Sequence, residues 1–159
     1  MSLAKTRLSA NQLCRLLNWW PPLRLGPGIR VDEISSDFYY AKTSLPTRFY
    51  NRNYVGTHFG GSLYAMVDPM YMLMLLNILG PEFIVWDKAA TIEYRKPGKG
   101  TVTAEFHVPK SLVASLQELA PNEKHVVDLK VDVKDAEGDV VAHVVKTEYI
   151  RRKPLQSKL

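Results

Sequence analysis

One segment of the chain, residues 60–79, constrains the fold more than any other, because nearly every residue in it is apolar. Its length and its Leu, Met and Ala content predict a helix. A helix that is apolar on all sides must be buried on most of its faces. Gly80 and Pro81 follow it, as glycine and proline commonly follow the end of a helix. We therefore expect a fold that wraps other elements around one central helix.

The second half of the chain predicts the surface that does the wrapping. Residues 101–108 and 126–134 alternate between apolar and polar side chains, which is typical of antiparallel strands with one wet face. Turns are expected at 97–100 and 135–139, and a short helix near 110–119. Two shorter strand-like pieces precede the central helix. The order predicts an α+β fold, in which a curved antiparallel sheet of two strands plus about four covers a long helix.

The 159 residues suit one domain with a single core. Ser9 is expected to cap a helix that Pro21 and Pro22 stop. We divide the chain into an N-terminal helix and lead-in over residues 1–27, the main domain over 28–150, and a basic C-terminal tail over 151–159. Because one sheet can cover only part of an apolar helix, a second copy of the protein is the simplest cover for the rest.

Charge and cysteine content exclude several classes of function. The formal net charge of +5 suits an anionic ligand, such as a molecule carrying a nucleotide, but no basic run indicates nucleic-acid binding. Cys14 is the only cysteine, and the four histidines are not grouped, so no metal site is predicted. The N-terminus does not resemble a signal peptide, and the most hydrophobic run, 70–76, is shorter than a membrane span. We expect a soluble cytoplasmic protein.

The start of the central helix carries the first candidate site. Gly60 and Gly61 would leave the free N–H groups of a helix start open to a ligand oxygen, since no Cβ stands in the way. Asn53, in the loop before them, could donate a second hydrogen bond to the same oxygen, which would complete an oxyanion hole. The alternative is that the two glycines only end a loop and permit close packing of helix and sheet.

Asp68 is the second candidate, because a carboxylate in a buried helix is unfavourable unless it is paired, capping or functional. It could be a general base or a nucleophile. The alternative is that Asp68 caps a second helix that begins at Pro69. Gly60 and Asp68 are two helical turns apart, which is about 12 Å along one helix. They could act on one carbonyl only if two antiparallel copies of the helix met across a dimer.

Together, Asn53, Gly56-Thr57, Phe59-Gly60-Gly61 and Asp68 resemble the motif of the hotdog-fold acyl-CoA thioesterases. The resemblance is to the bacterial thioesterase-like branch that is related to the phenylacetate-degradation thioesterases. It implies an acyl-CoA or other acyl thioester as substrate, no cofactor beyond the coenzyme A part of that substrate, and a homodimer or dimer of dimers. It also implies that Gly60, with Gly61, polarises the thioester carbonyl, that Asn53 assists or orients water, and that Asp68 acts across the dimer.

One departure from that motif leaves other functions open. The better-studied thioesterases have a histidine directly before the two glycines, whereas Phe59 lies between His58 and Gly60 here. We assign His58 and Phe59 to substrate binding, with loop positioning as the alternative for His58. A hydratase or dehydratase that used His58 with a partner's Asp68, and a protein that binds acyl thioesters without cleaving them, remain the competing predictions.

Overall fold

The computed structural model describes residues 8–154. This part of the chain contains six strands and five helices. In chain order they are α1 (Ala10–Trp19), α2 (Pro21–Arg24), β1 (Arg30–Ile34), β2 (Tyr40–Pro46), α3 (Gly60–Ala65), α4 (Met70–Leu79), β3 (Phe83–Tyr94), β4 (Thr101–His107), α5 (Lys110–Gln117), β5 (Lys124–Lys134) and β6 (Val140–Arg152).

All six strands form one curved antiparallel sheet in the order β1-β2-β4-β5-β6-β3, which covers the central helix α3–α4. This confirms the predicted α+β architecture. The alternation in β4 is confirmed as well, since Val102, Ala104 and Phe106 are buried. Phe106 meets Tyr71 of α4 edge-to-face at 5.3 Å between ring centroids, which joins the sheet to the helix.

The predicted long central helix is confirmed, and it contains one break. Residues 66–69 form a turn between α3 and α4. Pro69 has no N–H to continue the ladder of hydrogen bonds. The bonds on either side tighten instead: Val67 N donates to Tyr64 O (2.9 Å) and Met70 N donates to Val67 O (3.2 Å), each three residues back.

A second helix does begin after Pro69, but Asp68 does not cap it. The N-cap position is Pro69 itself, without a side-chain hydrogen bond. Together, α3 and α4 have the length and the mean hydropathy (1.4) of a membrane span, a criterion that a buried core helix also meets, and 56% of this window is buried inside the protein.

The N-terminal helix packs on the same core as the rest. Ser9 caps its start as predicted, and Gln12 completes a reciprocal capping box. Asn18 ties the helix to the first strand, because its amide donates to Val31 O (2.8 Å) and its oxygen accepts from Val31 N (2.9 Å). At the other end, β6 extends to Arg152, so the predicted tail begins inside the sheet. Residues 155–159 of that tail, like residues 1–7 of the predicted N-terminal segment, lie outside the described residues.

Candidate active site

Asn53 shapes the loop that leads into the central helix. Its side-chain oxygen accepts from the N–H groups of Val55 (3.1 Å) and Thr57 (3.0 Å). Its amide donates to Thr57 Oγ1 (2.8 Å) and to His58 O (3.3 Å). Both amide hydrogens are therefore used within the loop. Asn53 holds the chain immediately before the two glycines, and its predicted contact with a substrate oxygen stays a prediction.

His58 fastens the same loop to the turn before β4. The residue is only 3% exposed, and its Nε2 lies 3.0 Å from both Thr47 Oγ1 and Gly100 O. Burial lowers the pKa of this histidine, which keeps the ring neutral near pH 7. Its backbone N–H donates to Gly98 O (3.0 Å). These contacts agree with a loop-positioning role. They also keep the ring turned away from solvent, whereas a hydratase would need the ring to reach its substrate.

The two glycines begin α3 with free backbone donors. Phe59 occupies the N-cap position, and the N–H groups of Gly60 and Gly61 meet no acceptor within residues 8–154. Packing also favours a glycine at position 60, because a Cβ there would lie 2.8 Å from the Tyr94 hydroxyl of β3 and the tyrosine side chain would have to move. Close packing and an open pair of donors, the two alternatives at this site, are therefore compatible with each other.

An open cleft of about 410 Å³ lies beside this turn. The ring of Phe59, which is 56% exposed, and the backbone of Gly61 form one wall, and Tyr50 and Arg52 lie on the loop side. The residues that line the cleft include an aromatic side chain, a cation and Gly61, whose backbone N–H is free. Such a combination can hold an anionic ligand that carries a carbonyl group.

Asp68 lies in the turn after α3, with its side chain 47% exposed. One of its oxygens, Oδ1, accepts from the Tyr64 hydroxyl (2.8 Å) and from the Lys146 ammonium (3.0 Å). The other oxygen, Oδ2, has no hydrogen-bond partner among the described residues. The carboxylate is therefore paired on one side and open on the other, which suits a group that accepts a proton or attacks a carbonyl.

Sequence reasoning missed two charged residues beneath Asp68, Lys146 and Glu148, both fully buried on the inward face of β6. Lys146 Nζ also lies 2.5 Å from Asp87 Oδ1 of β3. Burial lowers the pKa of Lys146, but its hydrogen bonds to Asp87 and Asp68 outweigh this and raise the pKa above its ordinary value. We call Tyr64, Asp68, Asp87, Lys146 and Glu148 the charged cluster.

Glu148 is the unusual member of the charged cluster, because neither of its carboxyl oxygens has a hydrogen-bond partner among the described groups. It lies opposite Asp87 in the β3–β6 register. Burial and the neighbouring Asp87 carboxylate raise the pKa of Glu148 to about 8. Glu148 therefore keeps its proton at neutral pH, so the charged cluster does not contain a third carboxylate.

A sequence signal for these residues does exist. Alternation along β6 puts Ala142, Val144 and Ile150 on the inward face, and the same period places positions 146 and 148 between them. Two charges on an otherwise apolar strand face would have indicated a buried polar group.

The structure brings the predicted residues together in two places rather than one. Asn53, His58, Phe59 and the two glycines form one unit of loop and turn, while Asp68 lies at the opposite end of α3 in the charged cluster. Within residues 8–154, no group of three acidic, histidine or cysteine side chains is arranged to hold a metal ion.

Solved structures with the same architecture include proteins described as thioesterases. A Pseudomonas aeruginosa protein described as a probable thioesterase superposes with a TM-score of 0.77 at 19% identity, over 92% of this chain and 98% of that chain. A thioesterase from Haemophilus influenzae gives 0.67 at 16% identity, over 99% of both chains. The PaaI protein of the phenylacetic acid degradation operon of E. coli gives 0.55 at 16% identity, over 79% of this chain and 80% of that chain.

These likenesses establish the hotdog fold that the motif implied. No curated protein matches the chain significantly. A family model, described as a domain of unknown function, DUF4442, matches residues 10–150. The match begins at the first residue of α1 and ends within β6, two residues before the end of that strand. The chain is therefore a hotdog-fold protein that belongs to the DUF4442 family.

Proposed function

We propose that the protein is an acyl-CoA thioesterase in which Asp68 is the catalytic base. The observation that carries the proposal is the state of Asp68: it is the only acid in residues 60–79, one oxygen is held by two donors, and the other is open. Thioesterases among the structural neighbours support the general class, and the cleft beside the glycine turn provides a place for the thioester.

The reaction follows from these groups. The N–H groups of Gly60 and Gly61 hold the thioester oxygen, where negative charge develops as water attacks the carbonyl carbon. Asp68 Oδ2 takes a proton from that water as the new C–O bond forms. The tetrahedral intermediate then expels the coenzyme A sulfur, the C–S bond breaks, and the proton passes from Asp68 to the thiolate. The products are a free acid and a thiol.

This site requires two protomers, because the glycine turn and Asp68 lie at opposite ends of α3. The edge strand β3 offers a seam between them. It ends the sheet order, most of its 12 residues are exposed, and Trp86 and Tyr94 are more than half exposed. Pairing of two β3 edges would extend the sheet across a two-fold axis and bring two central helices together.

The substrate class follows from the cleft. Arg52 and the net charge of +5 favour the phosphates of coenzyme A, and the exposed ring of Phe59 can stack on an acyl or adenine group. The acyl chain itself is not specified by these contacts. A cytoplasmic location, where acyl-CoA is found, and a dimer of dimers remain predictions.

The test is hydrolysis of an acyl-CoA panel from acetyl to palmitoyl, together with phenylacetyl-CoA, followed by release of the thiol. We expect wild type to hydrolyse at least one member, and Asp68→Asn to lose on the order of 100-fold or more in kcat, which is the usual contribution of a general base. Asp132→Asn is the matched control, since Asp132 pairs with His143 on the sheet surface.

Two results would overturn the proposal: no hydrolysis of any member by a folded wild type, or a full rate in Asp68→Asn. Binding of acyl-CoA without turnover would favour a sensing protein instead. Addition of water to crotonyl-CoA would favour the hydratase.

A further inference from the structure

The hydrolysis steps above use Asp68 but leave Lys146, Asp87 and Glu148 without a role. All three belong to the charged cluster, and two of them are fully buried in an otherwise apolar face of β6. Burying charge is unfavourable unless it is compensated and hydrogen-bonded. The arrangement of these groups around Asp68 therefore calls for an explanation beyond packing.

Lys146 is held from two sides. Its ammonium group lies 2.5 Å from Asp87 Oδ1 of the neighbouring strand and 3.0 Å from Asp68 Oδ1 above it. The Tyr64 hydroxyl is 3.5 Å from the same nitrogen and donates to the same Asp68 oxygen at 2.8 Å. A lysine has three donors, and these three contacts use them all. The side chain has no exposed surface, so it cannot follow Asp68 if that residue rotates.

We propose that Lys146 is a positioning residue for Asp68: clamped by Asp87, it fixes Asp68 Oδ1 together with the Tyr64 hydroxyl, so that only Oδ2 faces the reacting water. The proposal rests on the proposed thioesterase function for its catalytic consequence. Lys146 itself touches no substrate, because it is fully buried beneath the carboxylate. Its loss should therefore lower kcat and leave KM almost unchanged.

Glu148 completes the arrangement by staying neutral. With its proton in place, the charged cluster contains one cation and two carboxylates, and Lys146 is shared between Asp87 and Asp68 alone. When Glu148 ionises, a third carboxylate competes for the same buried ammonium. The hold on Asp68 then weakens, so the rate should fall as the pH rises through the pKa of Glu148, which is about 8.

The groups that face Glu148 are few, which makes this titration specific. Asp87 faces it from β3, Lys146 from its own strand and Asp68 from the turn after α3. Tyr71 of α4 also feels its charge, but burial raises the pKa of that phenol to about 12, so it remains neutral throughout. From β5, the register partner is the apolar Val127.

The first test compares kcat and KM for Lys146→Met and Tyr64→Phe, with the best acyl-CoA of the panel as substrate. Thr147→Val is the matched control, because Thr147 is the next residue on β6 and bonds to Asp128 on the opposite face. We expect Lys146→Met to lose at least tenfold in kcat and Tyr64→Phe severalfold, each with KM within about twofold of wild type, whereas Thr147→Val is unchanged. If Lys146→Met does not fold, the kcat of Tyr64→Phe is the deciding measurement. A kcat equal to that of wild type in Tyr64→Phe would overturn the proposal.

The second test is a pH profile, which a merely structural lysine would not change. Wild-type kcat should decline through pH 8, after subtraction of uncatalysed hydrolysis. Glu148→Gln should retain its rate to a higher pH, because it cannot add the third charge. Superimposable profiles would overturn the role of Glu148 and of the shared ammonium.

A third measurement separates this proposal from the thioesterase proposal. Denaturant midpoints for Asp68→Asn, Lys146→Met and the double variant report whether the two side chains interact, whatever the protein hydrolyses. We expect the shift caused by Asp68→Asn to shrink or reverse in the Lys146→Met background. Independent shifts would overturn the positioning claim even if wild type is active. If the shifts are coupled but the protein hydrolyses no acyl-CoA, the positioning role of Lys146 would be supported and the thioesterase proposal would be overturned.

Discussion

Glu148 shows how a single residue can link the pH to the stability of this fold. It occupies an inward position on β6 between Lys146 and Ile150, and no donor reaches its carboxyl oxygens among the described residues. The chain accommodates it by leaving it protonated. In the unfolded chain the same group ionises freely. The free energy of unfolding therefore depends on pH through Glu148.

Glu148→Gln should therefore change the pH dependence of stability. In the unfolded chain a glutamate ionises near pH 4.3, whereas in the folded protein the pKa of Glu148 is about 8. Between these values only the folded state keeps the proton, so the free energy of unfolding falls as pH rises, by up to about 1.4 kcal/mol per pH unit. The stabilisation is complete below the lower pKa and lost above the higher one.

Urea unfolding at pH 5, 6.5 and 8 measures this. Glu148→Gln should gain stability relative to wild type from pH 5 to pH 8. Glu137→Gln, in the exposed hairpin turn before β6, is the control and should run parallel to wild type. If the two glutamine variants behave alike, Glu148 is not the buried acid described here.

Among the secondary-structure elements, the turn at residues 66–69 decides where Asp68 points. Because Pro69 interrupts the ladder, the helix tightens just before it, and Asp68 N still bonds to Tyr64 O (3.0 Å). Tyr64 and Asp68 thus remain four residues apart on one helical face, which lets the hydroxyl reach the carboxylate. The break in the helix and the charged cluster are parts of one local structure.

Pro69→Ala should uncouple these parts. The restored N–H can donate to Ala65 O, which would join α3 to α4 and rotate Asp68 away from Lys146. Stability should remain within about 1 kcal/mol of wild type, since a new hydrogen bond offsets the lost rigidity of proline. The acyl-CoA assay should show a lower kcat. Pro81→Ala, beyond the end of α4, is the matched control, and equal rates in the two variants would contradict this account.

Much of the element pattern could be predicted from the sequence, because period-two alternation directly reports which strand face is wet. Val102, Ala104 and Phe106 were predicted on one face of β4 and are buried there. Strand β3 was harder to read, since its exposed residues follow no alternation. The break at Pro69 was foreseen only as an alternative, and the capping role that went with it for Asp68 is wrong.

The residues proposed to act on the substrate could be predicted from the sequence, whereas the buried residues that contact Asp68 were missed. The glycine pair and Asp68 stood out as unusual residues in an apolar segment. Lys146 and Glu148 were missed, although the alternation of β6 places them between inward apolar positions, because charged residues in a strand are expected to face water. What makes their burial tolerable is Asp87, far away along the chain, and its place opposite Glu148 depends on the β3–β6 register, which the sequence does not show.

At the scale of the whole molecule, the proposed chemistry depends on a second copy of the chain. Each protomer would supply a glycine turn to one site and Asp68 to the other. Exposed aromatic and aliphatic side chains on the loop before α3 fit this arrangement, since Tyr54 and Val55 at its tip are almost fully in solvent in the single chain.

A heterodimer test follows. Asp68→Asn removes the base, and Gly61→Val disrupts the turn, because a Cβ there would overlap the Phe59 ring and force it to move. Each homodimer should be inactive. A heterodimer of the two contains one site with both defects and one with neither, so co-expression with two tags should recover roughly half of the wild-type activity. A heterodimer as inactive as its parents would place each site within one subunit.

The inward pair on the last strand also offers a way to classify related chains. Positions 146 and 148 are two residues apart in a regular strand, so their equivalents can be identified in any DUF4442 sequence without a structure. A relative with two aliphatic side chains there would build the same wrapped helix but lack the ammonium under its acid. The residues at these two positions would divide the family into chains that can orient a carboxylate and chains that share only the fold. The first group should be assayed first.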